Sequence, residues 1–229
     1  MGVAVPATGG PVVEAHELYR FYHAGDDETF APRGVSLMVE PGSIVAVVGP
    51  SGSGKSTLLS CLAGLDEPDG GHVMVAGGRI TRRPEAIRAA LRARWIGMLQ
   101  QSGNLLDHLT VAQNVTLAGR LGRGGEGKPV EELLAGVGLE GRAAARPGTL
   151  SGGEAARAGL AVALANDPPV LIADEPTGEV DAENEAQILE LLRTRAERGG
   201  AVIVATHSER VADAADRVVR LLDGRVADG

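Results

Sequence analysis

The sequence is poor in aromatic residues, in cysteine and in long apolar runs. One Trp, two Tyr and two Phe make up 2% of 229 residues, so the core must be filled by aliphatic side chains. The single cysteine, Cys61, can form no intramolecular disulfide, and it lies in an apolar helical pattern where we expect it to be buried and inert. No apolar run reaches the length of a membrane span and no secretion signal opens the chain. We therefore expect a soluble, cytoplasmic protein whose membrane role, if it has one, comes through a partner.

An excess of basic residues is also absent, since 22 Lys and Arg face 30 Asp and Glu for a formal net charge of -8. Broad nucleic-acid binding needs an extended basic face, so we expect no nucleic-acid partner. The arginines of residues 79–94 are typical of a solvated helix face. A local phosphate site built from backbone dipoles stays compatible with this charge.

The order of patterns along the chain predicts one α/β domain over residues 13–229, after a flexible, Gly- and Pro-rich N-terminus over residues 1–12. Alternating residues predict strands over 12–22 and 33–43, and the apolar run IVAVVGP predicts a fully buried strand followed by a helix over 52–65. Further alternation of strands and helices predicts a mostly parallel sheet and, at Asp223-Gly224, a last hairpin. Residues of about 102–155 are predicted as an inserted helical subdomain, interrupted by a mobile, exposed loop at 119–129.

The stretch GPSGSGKST, residues 49–57, matches the G-x-x-x-x-G-K-[ST] pattern between a predicted buried strand and a predicted helix. Glycine permits the backbone angles that turn successive N–H groups towards phosphate oxygens. Lys55 is predicted to reach the β- and γ-phosphates, and the Ser56 hydroxyl is predicted to bind Mg²⁺. The residues predicted to bind nucleotide in this loop are Gly49, Ser51, Gly52, Ser53, Gly54, Lys55, Ser56 and Thr57.

A pair of carboxylates ends the apolar stretch VLIADE, residues 170–175, at the edge where α/β sheets bind ligands. Asp174 is predicted to hold Mg²⁺ through water, and Glu175 to activate the attacking water as general base. An acidic pair can also cap a following helix, but Pro176 and the upstream phosphate loop argue against that interpretation. Together the two motifs predict hydrolysis of ATP or GTP.

A second candidate anion site lies almost a hundred residues beyond the first, in LSGGE, residues 150–154. Ser151 and two glycines precede a predicted helix, whose free N-terminal N–H groups can bind an anion. The same residues fit a capping box, with Ser151 as N-cap and Glu154 near the third helical position. The two interpretations are compatible.

The order phosphate loop, glutamine, LSGGE, VLIADEPTGEVD and VATHS resembles the nucleotide-binding subunit of ATP-binding cassette (ABC) transporters, from about residue 18 to 224. The resemblance implies a P-loop ATPase core with a mixed, mostly parallel sheet, an N-terminal antiparallel β subdomain and an inserted α-helical subdomain. It also implies ATP and Mg²⁺ as cofactors and a head-to-tail dimer. Ser151, Gly152 and Gly153, with Glu154 in the same motif, would then contact the ATP bound by the partner.

The resemblance assigns further roles at the nucleotide. Tyr22 matches the aromatic residue that stacks on adenine, with Phe21 or Tyr19 as alternatives. His207, at the end of AVIVATH, matches a switch histidine that contacts the γ-phosphate, and Asp181 matches an aspartate that communicates across the dimer.

Gln101 matches a glutamine that contacts Mg²⁺ and the attacking water and responds to the membrane partner. Its neighbour Gln100 stands where related sequences usually carry an aromatic residue. In the family, LSGGE is the signature motif, and two further departures follow this signature: Ala155 and Ala156 replace a usual pair of glutamines, and Val162 replaces an arginine. We expect these changes to weaken assembly or alter coupling, while the direct catalytic positions are all retained.

Longer stretches resemble the subfamily of lipoprotein-releasing and macrolide-exporter ATPases, and we expect neither a fused permease nor a regulatory domain after the hairpin. The predicted function is that of an ATPase subunit, in a homodimer or a heterodimer with a related cassette, on the inner face of the cell membrane. There it would drive a separate permease that docks between residues 101 and 151. The alternatives are a soluble cassette ATPase acting on ribosomes or DNA, and a small-molecule kinase, which would leave LSGGE and His207 unexplained.

Overall fold

A computed structural model describes residues 10–24, 27–123, 128–178 and 180–227. Two sheets organise these residues, as the sequence predicts. The first is antiparallel, in the order β2-β1-β4-β5, and contains β1 (Val13–Ala24), β2 (Asp27–Val39), β4 (Gly70–Val75) and β5 (Gly78–Arg79). The second has the order β10-β9-β3-β8-β7-β6, in which β9, β3, β8, β7 and β6 are parallel and β10 is antiparallel.

The strands of the second sheet are short, those at its centre being apolar and buried and the last two largely exposed. They are β3 (Ile44–Val48), β6 (Ile96–Leu99), β7 (Val170–Asp174), β8 (Ala201–Thr206), β9 (Arg217–Leu222) and β10 (Arg225–Val226). All six residues of β8 are buried, which explains its uninterrupted apolar sequence. The hairpin of β9 and β10 turns at Asp223-Gly224, where both residues have positive φ, as predicted.

The helices cover both faces of this sheet. They are α1 (Lys55–Leu62), α2 (Glu85–Trp95), α3 (Val111–Arg123), α4 (Val130–Gly136), α5 (Gly152–Ala163), α6 (Ala182–Glu197) and α7 (Glu209–Asp213), with 3₁₀ turns at Glu140–Arg142 and Pro147–Thr149. Helix α1 lies between the two sheets, where Leu58, Leu59 and Leu62 are fully buried in one core. Each such leucine contributes about 1.5–3 kcal/mol relative to an exposed one.

The other core clusters join α5 to the rest of the chain. One lies on the opposite face of the parallel sheet, against α5 and α6, and the other joins α5 to α3 and α4. Leu160 of α5 packs in the sheet cluster, while Ala158 and Ala161 pack in the helical cluster. Helix α5 is therefore fixed by both layers, and its N-terminus has a defined direction.

Three boundaries differ from the predicted ones. Helix α1 begins at Lys55 instead of residue 52, because Gly52 and Gly54 have left-handed backbone angles that a helix excludes. Strand β2 begins at Asp27, six residues before its predicted start. The predicted break at 119–129 is wrong over its first part, because α3 continues through it to Arg123. Residues 124–127 of that break, and residues 1–9 of the predicted flexible N-terminus, lie outside the described residues.

Within the described ranges, no helix combines the length and the apolar character needed to cross a membrane. Cys61 is buried, as predicted, and burial raises the pKa of its thiol to about 12. At neutral pH this thiol is protonated and therefore a poor nucleophile.

Candidate functional site

The phosphate-loop motif, residues 49–57, runs from the end of β3 into the first turn of α1. Gly52 and Gly54 have φ of 78° and 96°, a region that L side chains rarely adopt. A Cβ at Gly54 would also lie 2.6 Å from the Cβ of Ala31. Glycine at position 54 is thus required both by the backbone angle and by the close approach of Ala31.

Lys55 folds back into the loop that precedes it. Its Nζ donates to the carbonyl oxygens of Gly49 and Pro50, at 2.9 and 3.1 Å, and the residue is only 9% exposed. An ammonium group has three N–H donors, so these two bonds leave one for a ligand in the loop. The geometry presents a fixed positive charge to an anion held by the loop.

A cleft of about 520 Å³ opens over this loop. It brings together residues that are up to 185 positions apart in the sequence. Its lining is formed by Tyr22, Ala31, Gly49, Pro50, Ser51, Gly52, Gly54, Lys55, Ser56, Thr57, Gln101, Glu175 and His207. The two predicted motifs and three of the residues carried over from the family therefore surround one space.

Asp174 ends β7 beside this cleft, as a half-buried carboxylate. Burial raises its pKa, the charge of Glu175 adds to the rise, and a hydrogen bond from the Ser56 hydroxyl opposes it. Its Oδ1 is buried without a hydrogen-bond partner among the described residues. A buried carboxylate oxygen that lacks a partner, next to a hydroxyl, is the donor set that Mg²⁺ prefers, so these residues fit the predicted metal.

Glu175 and His207 meet because β7 and β8 are adjacent parallel strands and both residues follow their carboxyl ends. The Oε2 of Glu175 lies 2.9 Å from Nδ1 of His207 and accepts a bond of 3.3 Å from its backbone N–H. The Glu175 side chain is 14% exposed, and the His207 side chain is 69% exposed. Glu175 also has a φ of 48°, a strained value that is typical of functional sites.

The alternatives for the adenine-stacking residue occupy different environments. Tyr22 lines the cleft and is 39% exposed, with the Arg20 guanidinium 4.9 Å from its ring centre. Its hydroxyl donates to Asp66 at 2.5 Å. Tyr19 instead packs over two glycines, Gly34 and Gly70, away from the cleft lining. Of these two tyrosines, only Tyr22 is placed beside the nucleotide loop.

Gln101 lines this cleft and also a neighbouring one of about 400 Å³, which reaches Ala155 and Ala156 of α5. Gln100 lines only the neighbouring cleft, where its backbone N–H and C=O bond to Asn104. The two clefts therefore share Gln101 and Glu175.

The LSGGE segment forms the N-terminus of α5. Ser151 is the N-cap, and the reciprocal bonds of the predicted capping box are both present: Glu154 N–H to Ser151 Oγ at 3.2 Å, and Ser151 N–H to Glu154 Oε2 at 2.9 Å. Arg142 holds the other oxygen of Glu154 at 2.7 Å, and these bonds lower the pKa of that carboxyl. Ser151 and Gly152 are exposed, so the N-terminus of the helix faces outward.

Asp181 is the N-cap of α6 and accepts the backbone N–H of Asn184 at 2.9 Å. Asn184 also donates its side-chain amide to Asp181 and accepts a bond from Arg157 of α5. A side chain at Gly153 would overlap the Asn184 amide. The sequence interpretation missed Asn184, whose only local signal is its position three residues after an aspartate N-cap.

Comparisons with known proteins identify the family of this chain. A family model described as "ABC transporter" matches residues 32–178. The lipoprotein-releasing system ATP-binding protein LolD of Ruegeria pomeroyi is 45% identical, over 95% of this chain and 97% of its own length. The macrolide export ATP-binding/permease protein MacB of Escherichia coli K12 is 39% identical, over 94% of this chain and 34% of its own.

A solved ATP-binding cassette, dimeric and in a post-hydrolysis state bound to ADP and Pi, superposes with a TM-score of 0.87. It is 33% identical, over 94% of this chain and 97% of its own. The chain therefore belongs to the ABC transporter family, as an ATP-binding ATPase subunit of the LolD- and MacB-like subfamily.

Proposed function

We propose that two copies of this chain, or one copy and a close relative, bind two ATP molecules between them and drive a separate membrane permease. One observation carries the shared site: the described residues that line the nucleotide cleft do not include Ser151, Gly152 or Gly153. Instead, the N-terminus of α5 is capped by Ser151 and Glu154 and faces outward, with Ser151 and Gly152 exposed. A partner's γ-phosphate would bind there, because the helix dipole and the N-terminal N–H groups favour an anion at this position. The dimeric state of the related solved cassette supports the arrangement.

Within each site, the chain's own residues have separate roles. Lys55 and the N–H groups of the loop would hold the phosphates, and Tyr22 would stack on adenine. Ser56, Asp174 and Gln101 would hold Mg²⁺, which supplies charge neutralisation between the β- and γ-phosphates.

Glu175 would accept a proton from the attacking water, and His207 would contact the γ-phosphate. The bond of 2.9 Å between these two side chains holds them on the same side of the cleft. Release of phosphate removes the anion between the subunits, so the dimer opens.

The neighbouring cleft of about 400 Å³ is the proposed docking surface for the permease. It shares Gln101 and Glu175 with the nucleotide cleft, so a contact made there would reach the residues proposed to hold the metal and to activate the water. The related LolD and MacB proteins, whose names describe lipoprotein release and macrolide export, support a membrane partner and a location on the inner face of the membrane.

The substitution Glu175→Gln tests the shared site, because it removes the base and keeps a side chain of the same size. The variant is expected to bind ATP, to hydrolyse it poorly, and to elute as a dimer at saturating ATP and Mg²⁺ in size-exclusion chromatography with light scattering. Glu190→Gln, an exposed change on α6, is the matched control and is expected to behave as the unmodified chain. A Glu175→Gln variant that binds ATP and stays monomeric contradicts the proposal.

A further inference from the structure

The first turn of α6 contacts both the signature helix α5 and the loop that carries His207. We propose that Asn184 and Glu185, neighbours in this turn, are positioning residues that act in different ATP sites of the dimer. Asn184 places the signature of its chain against the partner's ATP, and Glu185 places His207 against its own chain's ATP. This inference depends on the proposed shared site.

The Asn184 side chain makes three hydrogen bonds. Its oxygen accepts from the Arg157 guanidinium of α5, and its nitrogen donates to both carboxylate oxygens of Asp181, at 2.9 and 3.0 Å. It also fills the space beside Gly153, where a larger residue would overlap it. Asn184 thus fixes the angle at which the N-terminus of α5 is presented.

The Glu185 side chain contacts the segment that follows His207. Its Oε1 accepts from the Ser208 hydroxyl at 2.7 Å, and its Oε2 accepts from Arg210 at 2.9 Å. Ser208 directly follows His207 and is the N-cap of α7. The Glu185 side chain is 13% exposed, and its bond to Ser208 is partly buried, while Arg210 is 55% exposed. Glu185 therefore determines where the backbone leaves His207.

Asn184 and Glu185 lie in the same turn of α6. Consecutive helical residues point about 100° apart, so Asn184 and Glu185 reach different elements from the same turn. Asp181 fixes the start of that turn by capping it. Hydrogen bonds from this one turn thereby reach the signature helix on one side and the histidine loop on the other.

Mixed dimers separate the two directions of action. Each shared site takes its phosphate loop, Glu175 and His207 from one chain and its signature from the other. Four full-length variants are prepared: Asn184→Ala, Glu185→Ala, Glu175→Gln as the chain without a base, and Ser151→Asp as the chain with a defective signature. ATPase activity is measured for each variant alone and for equimolar pairs.

Asn184→Ala and Glu185→Ala alone are each expected to lose about tenfold in ATPase rate, as for loss of a charge-assisted hydrogen bond. Asn184→Ala is expected to be rescued by Glu175→Gln, whose signature is intact, and not by Ser151→Asp. Glu185→Ala is expected to show the reverse, with rescue by Ser151→Asp only. A rescued pair is expected to reach about a quarter of the unmodified rate, since half of the dimers are mixed and each has one intact site.

The pair of Glu175→Gln with Ser151→Asp separates the two levels of the proposal. If this pair shows no rescue, the proposal of a shared site is itself wrong. With rescue in this pair, any other pattern for Asn184→Ala or Glu185→Ala overturns the positioning roles alone. A variant that is rescued by neither partner acts in both sites, and that result also overturns the inference.

Matched controls lie one turn further along the same helix. Gln187→Ala removes an exposed amide and Glu190→Ala an exposed carboxylate. Both are expected to keep the unmodified rate. A tenfold loss in either would show that α6 responds to any change, and would contradict the specific roles of Asn184 and Glu185.

Discussion

Replacing Ser151 by alanine or by aspartate separates its role in the fold from its role in assembly. In the structure, the Ser151 hydroxyl accepts the Glu154 N–H and caps α5. Alanine removes this cap, which costs about 1 kcal/mol, and for a chain of this size lowers the melting temperature by about 2–4 °C. Aspartate is as good an N-cap as serine, and Arg142 already neutralises the neighbouring Glu154. The aspartate variant is therefore expected to melt close to the unmodified chain.

The order of the two variants reverses for ATP-dependent dimerisation. A carboxylate about 4 Å from a phosphate charge costs about 4 kcal/mol at an effective dielectric constant near 20. That cost weakens each shared contact by about three orders of magnitude, since 1.4 kcal/mol is tenfold. Alanine loses one hydrogen bond to a charged group, about 1.5–3 kcal/mol, or roughly 10- to 150-fold.

The assay pairs thermal unfolding by circular dichroism with the dimer dissociation constant at saturating ATP, measured by analytical ultracentrifugation. Both substitutions are made in the Glu175→Gln background, so that hydrolysis does not open the dimer. The expected outcome is that alanine melts lower but dimerises better than aspartate. The reasoning is refuted if the aspartate variant dimerises like its parent, or if dimerisation simply follows the melting temperature.

Four further predictions concern the nucleotide cleft and the helix behind the signature. Lys55→Ala is expected to weaken ATP binding about 10- to 150-fold, for loss of one charged hydrogen bond, and unchanged affinity in calorimetry would exclude its phosphate contact. Asp174→Asn is expected to raise the melting temperature without metal, because burial raises the pKa of this carboxyl, and to abolish Mg²⁺-dependent hydrolysis. The raised pKa also predicts a pH dependence, because protons then compete with Mg²⁺ for the Asp174 carboxylate. The Mg²⁺ concentration for half-maximal ATPase activity should rise as the pH falls, and a constant value would contradict the assignment. Tyr22→Ala is expected to raise KM for ATP with little change in kcat while Tyr22→Phe keeps both, and equal effects would point to the Asp66 hydrogen bond instead of ring stacking. Gln at both Ala155 and Ala156 is expected to raise dimerisation or basal turnover, since both alanines line the cleft beside Gln101, and unchanged values would show the alanines to be neutral.

The local order of the fold was predictable where each residue's conformation follows from its neighbours in sequence. The apolar runs of β3, β7 and β8 are long enough to identify buried strands, and the capping box at Ser151 needs only four residues. The turn at Asp223-Gly224 is equally local. These local features are sufficient to predict the fold class and the strand or helix on which each motif lies.

The start of β2 and the end of α3 depended on tertiary contacts. Residues 27–32 become a strand because they pair with β1, and their own sequence lacks a regular alternation. Helix α3 continues through two glycines to Arg123, where Gly122 packs against the Asn166 side chain. Glycine disfavours a helix by about 1 kcal/mol, which packing outweighs here.

The contacts of Asn184 and Glu185 were not predictable for a different reason. They join segments that lie 23 to 27 residues apart, through side chains that carry no motif of their own. Periodicity identifies α6 as a helix, but it does not indicate which of its polar residues face α5 and which face the loop after β8. That information arises only when the two loops are placed by the sheet.

The central claim is that the signature of one chain faces the phosphate loop of another. Cysteine crosslinking tests it directly, because the native Cys61 is buried and its thiol is protonated at neutral pH. Ser51→Cys is placed in one tagged chain and Ser151→Cys in a second chain with a different tag, both in the Glu175→Gln background. With ATP and Mg²⁺, a short bismaleimide is expected to link the two tags in one product, and without ATP it is not. A product that forms equally without ATP, or no mixed product when ATP is bound, would contradict the account.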